Sequence, residues 1–143
     1  MRKLGVDEIT PKHLEEIFSI AKEWWSKISS IQLIYEDAEL FFKRSVTGVW
    51  VDENDNVIGY YIMSIVPHPF NWGYTIGELV SIVVKEEYRG STLFLRMISD
   101  VLSECNLCEV DELHFSDTIQ RPLYSVMEKL GFEKTGTIYR RMF

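Results

Sequence analysis

Residues 75–94 read TIGELVSIVVKEEYRGSTLF, and the reading of this stretch decides the fold. The run from Thr75 to Val84 is nearly all apolar, the pattern of a central strand covered on both faces. Glu78 is its one ionisable residue. Past an Arg89-Gly90 pair, Leu93, Phe94, Met97, Ile98, Val101, Leu102 and Cys105 recur at helical period and predict an amphipathic helix. Ser91 suits the cap of that helix. A strand that enters a helix through such a turn can hold phosphates, because first-turn N–H groups lack partners and the helix dipole favours an anion. The same residues serve equally as a plain turn into a core helix.

Upstream, VTGVWV, the turn-forming DENDN and VIGYYIMSIV predict an antiparallel hairpin, after which PHPFNWG breaks the strand pattern. Thr10-Pro11 starts a first helix, with apolar residues from Leu14 to Ile28, and Asp37 to Arg44 forms a second. Downstream, ELHF reads as a short strand and RPLYSVMEKL as a helix, with Pro122 in its first turn and Gly131 as its stop. FEKTGTIYRRMF suggests one or two terminal strands. The expected fold is α/β (α+β), a central mixed sheet with helices on both faces.

At 143 residues, one domain over 1–143 is expected. A net charge of -7 and the absence of a basic run longer than Arg140-Arg141 argue against nucleic acid as a partner. No stretch resembles a signal peptide or a membrane span, so a cytoplasmic protein without membrane association is expected. Cys105 and Cys108 form a CxxC, but His13, His68 and His114 are scattered singly, so no metal site is expected and both thiols read as packing or surface groups. GxSxG is absent, and neither cysteine has a recognisable histidine partner.

The order of elements, with ELVSIVVKEEYRG and MEKLGF about forty residues apart, resembles the GCN5-related N-acetyltransferases over most of the chain. That resemblance implies a mostly antiparallel sheet and acetyl-CoA as co-substrate. It implies a cofactor loop of pattern RxxGxG or RxxGxA, here Arg89-Gly90-Ser91-Thr92-Leu93-Phe94. The family's glycines leave room for phosphates to approach the backbone, and Thr92 and Phe94 replace them. Phe94 falls on the apolar stripe with Ile98 and Val101, so its ring can turn inward while the backbone amides face the pyrophosphate.

Further roles follow from the resemblance. Glu78 aligns with a strand glutamate that acts as general base in some members, and burial would strengthen it; the alternative is a solvent-facing or arginine-paired glutamate. Backbone N–H groups of Ile82, Val83 and Val84 are the implied donors to the thioester oxygen. The family's acid tyrosine falls at Met127, and Tyr124, one turn earlier, is the substitute. His68, Phe70, Trp72 and Tyr74 are candidates for the acceptor site, with Trp24, Trp25 and Tyr35 on the helical side. The expected activity is direct acetyl transfer to a primary amine of a small molecule or protein. A non-catalytic acyl-CoA-binding module, a longer acyl donor and a homodimer stay open.

Overall fold

A computed structural model describes residues 1–116, 124–136 and 139–143, and of Tyr124 the backbone. The chain runs β1 (Arg2–Lys3), α1 (Pro11–Ser26), α2 (Tyr35–Arg44), β2 (Val46–Val51), β3 (Val57–His68), β4 (Asn71–Val84), α3 (Leu93–Leu107), β5 (Glu112–Phe115) and α4 (Tyr124–Lys129). The strands form one five-stranded sheet in the order β1-β2-β3-β4-β5. Every pairing is antiparallel except β4 with β5. This is the mixed, mostly antiparallel sheet that the sequence leads one to expect.

Two cores cover the two faces. On one, Leu93, Met97, Ile98 and Val101 of α3 and Met127 of α4 pack on Ile58, Tyr61, Met63, Leu79 and Val84. On the other, Leu14 and Ile17 of α1 and Phe42 of α2 pack on Val49, Val51, Tyr60 and Val83. Each helix therefore buries one apolar stripe against the sheet, which is where most helical stability in proteins arises.

Local chemistry fixes the ends of these elements. The Thr10 N–H at the start of α1 donates to His13 Nδ1 at 3.0 Å, which satisfies a donor that the helix itself cannot. In the β2–β3 turn the Asp52 carboxylate accepts from the N–H groups of Asn54 and Asn56, at 2.8 and 3.0 Å. At the end of α4 the Phe132 N–H reaches the Met127 carbonyl and the Gly131 N–H that of Glu128, both at 3.0 Å, with Gly131 at φ 88°. That pair of bonds is a Schellman stop, and it turns Phe132 back onto the core.

Two expectations are corrected, and one strand had gone unread. PHPFNWG interrupts the strands only at a turn over residues 69–70, since β3 runs through Pro67 to His68 and β4 resumes at Asn71. The register shifts between Pro67 and His68, and such an irregularity tolerates a residue without an N–H. Residues 132–136 and 139–143 form no strand. Tyr139 and Phe143 are fully open to solvent, so nothing offsets the entropy of ordering them in a sheet. β1 had no sequence signal, because two residues are too few to show alternation.

Candidate active site

β4 dominates the site because it is paired along only part of its length. The Lys85 N–H donates to the Ile58 carbonyl at 2.9 Å, so Lys85 and, by alternation, Val83 turn their backbone groups toward β3. Ile82 and Val84 turn theirs to the opposite edge. There β5 pairs with Ile76 to Leu79, and past Leu79 no strand among the described residues covers β4. The register shift between Ile62 and Met63 leaves Val80 as an extra residue on β4 at the point where this divergence begins.

The strand's last residue leads directly into the loop of the RxxGxG frame. The Arg89 Nε–H donates to the Val84 carbonyl at 3.2 Å, which holds the guanidinium at the open edge. A short 3-10 turn over Glu86–Tyr88 uses up the Arg89 N–H, bonded to the Glu86 carbonyl. The Ser91 N–H bonds to the Tyr88 carbonyl, and the Leu93 N–H to Ser91 Oγ. The N–H groups of Gly90, Thr92, Phe94 and Leu95 are left without a bond. These amides are the ones available to a ligand.

Gly90 sits at φ 82°, and a Cβ there would meet nothing within 4 Å, so the loop surface is open at this point. Thr92 is exposed and caps α3 without a side-chain hydrogen bond. Leu93 is fully buried, and Phe94 is half-buried against the cluster that holds Ile98 and Val101. The two large side chains thus turn toward the core and leave the outer surface of the turn to the backbone. Four unbonded amides at a helix start, with open space before Gly90, fit a pyrophosphate.

Glu78 is exposed, the solvent-facing one of the two alternatives that the sequence leaves open. Its neighbour Leu79 points into the α3 core, so Glu78 lies on the face that Tyr60 and Val83 share with α1 and α2. Tyr60 is fully buried, its hydroxyl 3.4 Å from Ser81 Oγ, and burial pushes its pKa up. Met127 is buried in the core and has no proton to donate. The side chain of Tyr124 and the whole of Pro122 lie outside the described residues.

Sequence reading missed a polar group beside Glu78. In register with it on β5 is His114, whose Nε2 lies 2.7 Å from Glu112 Oε1, while the Tyr74 hydroxyl donates to Glu112 Oε2 at 2.8 Å. The bonds from His114 and Tyr74 hold the Glu112 carboxyl below the usual range, and the same carboxylate raises the Tyr74 pKa. The alternation in ELHF, which puts Glu112 and His114 on one face, was the available signal. His68 packs edge-on to Tyr74 at 6.0 Å, whereas Phe70 and Trp72 project almost wholly into solvent. Phe18 and Tyr35 meet edge to face at 5.4 Å, away from this group on the α1–α2 side.

Elsewhere, Cys105 is buried with Sγ 3.6 Å from Met63 Sδ, and burial pushes its thiol pKa up, while Cys108 is exposed. Among the described residues no group of three potential ligands could hold a metal ion. No helix among them is long and apolar enough to cross a membrane.

Comparison with known proteins places this arrangement. No curated protein sequence matches the chain. Among solved structures, the glucosamine-6-phosphate N-acetyltransferase of Arabidopsis thaliana aligns with a TM-score of 0.70 at 14% identity, over 99% of this chain and 96% of that one. The ribosomal-protein-alanine N-acetyltransferase of Brucella melitensis biovar Abortus aligns at 0.71 and 14%, with the same coverage of 99% and 96%. An aminoglycoside N-acetyltransferase solved with CoA aligns at 0.70 and 17%, over 99% and 98%. At these identities the likeness is one of fold. The profile of the acetyltransferase (GNAT) family matches residues 14–132, which include β4, its loop and α3, and the chain therefore belongs to the GNAT family of acetyltransferases.

Proposed function

We propose that the protein is an acetyl-CoA-dependent N-acetyltransferase that transfers the acetyl group directly to a primary amine. The observation that carries this reading is the coincidence of two features. β4 loses its β5 partner at the end of the sheet where α3 begins, and the four unbonded amides lie at that same end. Gly90, Thr92 and Phe94 bind the pyrophosphate through their N–H groups, and Arg89 adds a cation beside them. Ile82 and Val84 offer N–H groups along the open edge to the thioester oxygen. Backbone donors suit this task because they are fixed before the reaction and need no reorganisation.

Acetyl-CoA supplies the acetyl group as an activated thioester. The chain supplies positioning and proton handling. Glu78, exposed on the neighbouring face, orders water near the acceptor nitrogen. Tyr124 is the proposed proton donor to the departing sulfur, although thiolates leave readily near neutral pH, given a reference pKa of about 8.5. The net charge of -7 favours a cationic acceptor, either a small amine or a protein amino group.

Titration calorimetry with acetyl-CoA, followed by a thiol-release assay over a panel of amines, tests the reading. Saturable binding with amine-dependent thiol release is expected. Absence of binding at millimolar acetyl-CoA refutes the reading. Binding without release on any amine favours the non-catalytic module.

A further inference from the structure

We propose that His114, held by Glu112, accepts the proton that the acceptor ammonium must lose. The inference rests on the acetyl-transfer reading and assigns the base within it. Primary amines such as lysine are protonated at neutral pH, with a reference pKa of about 10.4, and attack only as the free amine. The group that removes the proton must lie beside the open edge of β4 and present a free lone pair.

His114 meets both conditions. Glu112, an ionised carboxylate, only accepts hydrogen bonds, so the 2.7 Å contact places the histidine proton on Nε2. Nδ1 then carries the lone pair and makes no hydrogen bond to a described residue. The second carboxylate oxygen is taken by Tyr74 at 2.8 Å, so Glu112 is held from both sides. The carboxylate also stabilises the imidazolium once it forms, the role of the carboxylate in hydrolase triads.

Placement agrees. His114 and Glu78 are register partners on parallel strands, so their side chains are adjacent on one face, with strands about 4.8 Å apart. The Ile82 amide lies further along β4 by roughly 10 Å, taking about 3.3 Å per residue and the bulge as one position lost. An acceptor amine and one water span that distance. Among the described residues, the other titratable groups facing His114 are Glu78 and Tyr74 of β4, with His68 of β3 and Asp111 beyond them.

The chemistry balances. The ammonium gives one proton to His114 Nδ1, and the freed lone pair forms the C–N bond as the C–S bond breaks. Tyr124 gives its proton to the departing sulfur and is replenished by the nitrogen's second proton, and His114 returns its proton to water.

The test compares His114→Gln, Glu112→Gln and Glu78→Gln on the best amine of the panel and on its fluorinated analogue, whose nitrogen is already neutral at pH 7. His114→Gln is expected to lose about 10²-fold in kcat/KM on the basic amine and little on the analogue. Glu112→Gln should show the same pattern with a smaller loss. Added imidazole should restore part of the rate of His114→Ala. Equal losses on both amines, no loss, no rescue by imidazole, or the selective pattern in Glu78→Gln alone each overturn the assignment. A wild-type protein that transfers to no amine overturns it together with the acetyl-transfer reading.

Discussion

Arg89 folds back on the strand it has just left, its Nε–H donating to the Val84 carbonyl at 3.2 Å. Val84 turns its backbone toward the open edge of β4, so this one bond joins the cofactor loop to the edge along which the acyl donor is proposed to lie. Arg89→Ala removes both the clamp and the cation. Acetyl-CoA should bind about tenfold more weakly, the size of one hydrogen bond to a charged group. Arg89→Lys keeps the charge but not the planar donor and should fall between the two. Calorimetric Kd values check both, and the melting temperature should hardly move, since the residue is exposed.

Gly48 lies where β2 crosses under Tyr61. A Cβ at this position would overlap the Tyr61 ring and come within 2.8 Å of Trp50 Cζ3. Both rings are buried, so neither can move aside into solvent. Gly48→Ala should therefore cost about 1–3 kcal/mol as overpacking, although alanine suits a strand better than glycine. Urea unfolding should show a lower midpoint at an unchanged slope.

Two buried tyrosines set an alkaline limit on stability. Burial raises the pKa of Tyr60, and burial with the hydroxyl bond to Asp100 raises that of Tyr61. Both contribute fully below about pH 10, where the unfolded chain also keeps its phenols protonated. Above that pH the unfolded state ionises first and stability falls by about 1.4 kcal/mol per unit for each tyrosine. Denaturation between pH 8 and 11 should show the fall, and Tyr61→Phe should halve its slope at the expense of a hydroxyl bond.

Elements whose signal is local could be read from the sequence. The apolar run of β4, the stripe of α3, the Asp52 turn and the Gly131 stop each depend on residues a few positions apart, and each formed as expected. What escaped depends on distant partners. β1 exists because Trp50 and Val51 pair with it, and the described residues 139–143 lack a strand because nothing buries Tyr139 or Phe143. The exposure of Glu78 follows from which face of β4 meets α3, a matter of register rather than composition. His114 looked isolated because one member of its group, Tyr74, joins Glu112 from 38 residues away. In the loop, the frame Arg89 to Phe94 was legible, while the bonds that use up the Arg89 and Ser91 amides and spare that of Gly90 needed the 3-10 turn before it.

Gly90 and Gly131 offer a matched pair for separating fold from binding. Both have left-handed backbones, at φ 82° and 88°, and at neither would a Cβ meet another atom within 4 Å. Substitution by alanine should cost each about 1 kcal/mol of stability through backbone strain alone, since there is no steric clash. Only Gly90 lies among the unbonded amides at the start of α3, whereas Gly131 stops α4. Gly90→Ala should therefore weaken acetyl-CoA binding beyond its stability cost, because strain at φ 82° turns its N–H away from the other two. Gly131→Ala should leave the Kd unchanged while losing the same midpoint in urea. Equal Kd values for the two variants would mean that the Gly90 amide holds no phosphate and that the proposed cradle reduces to Thr92 and Phe94.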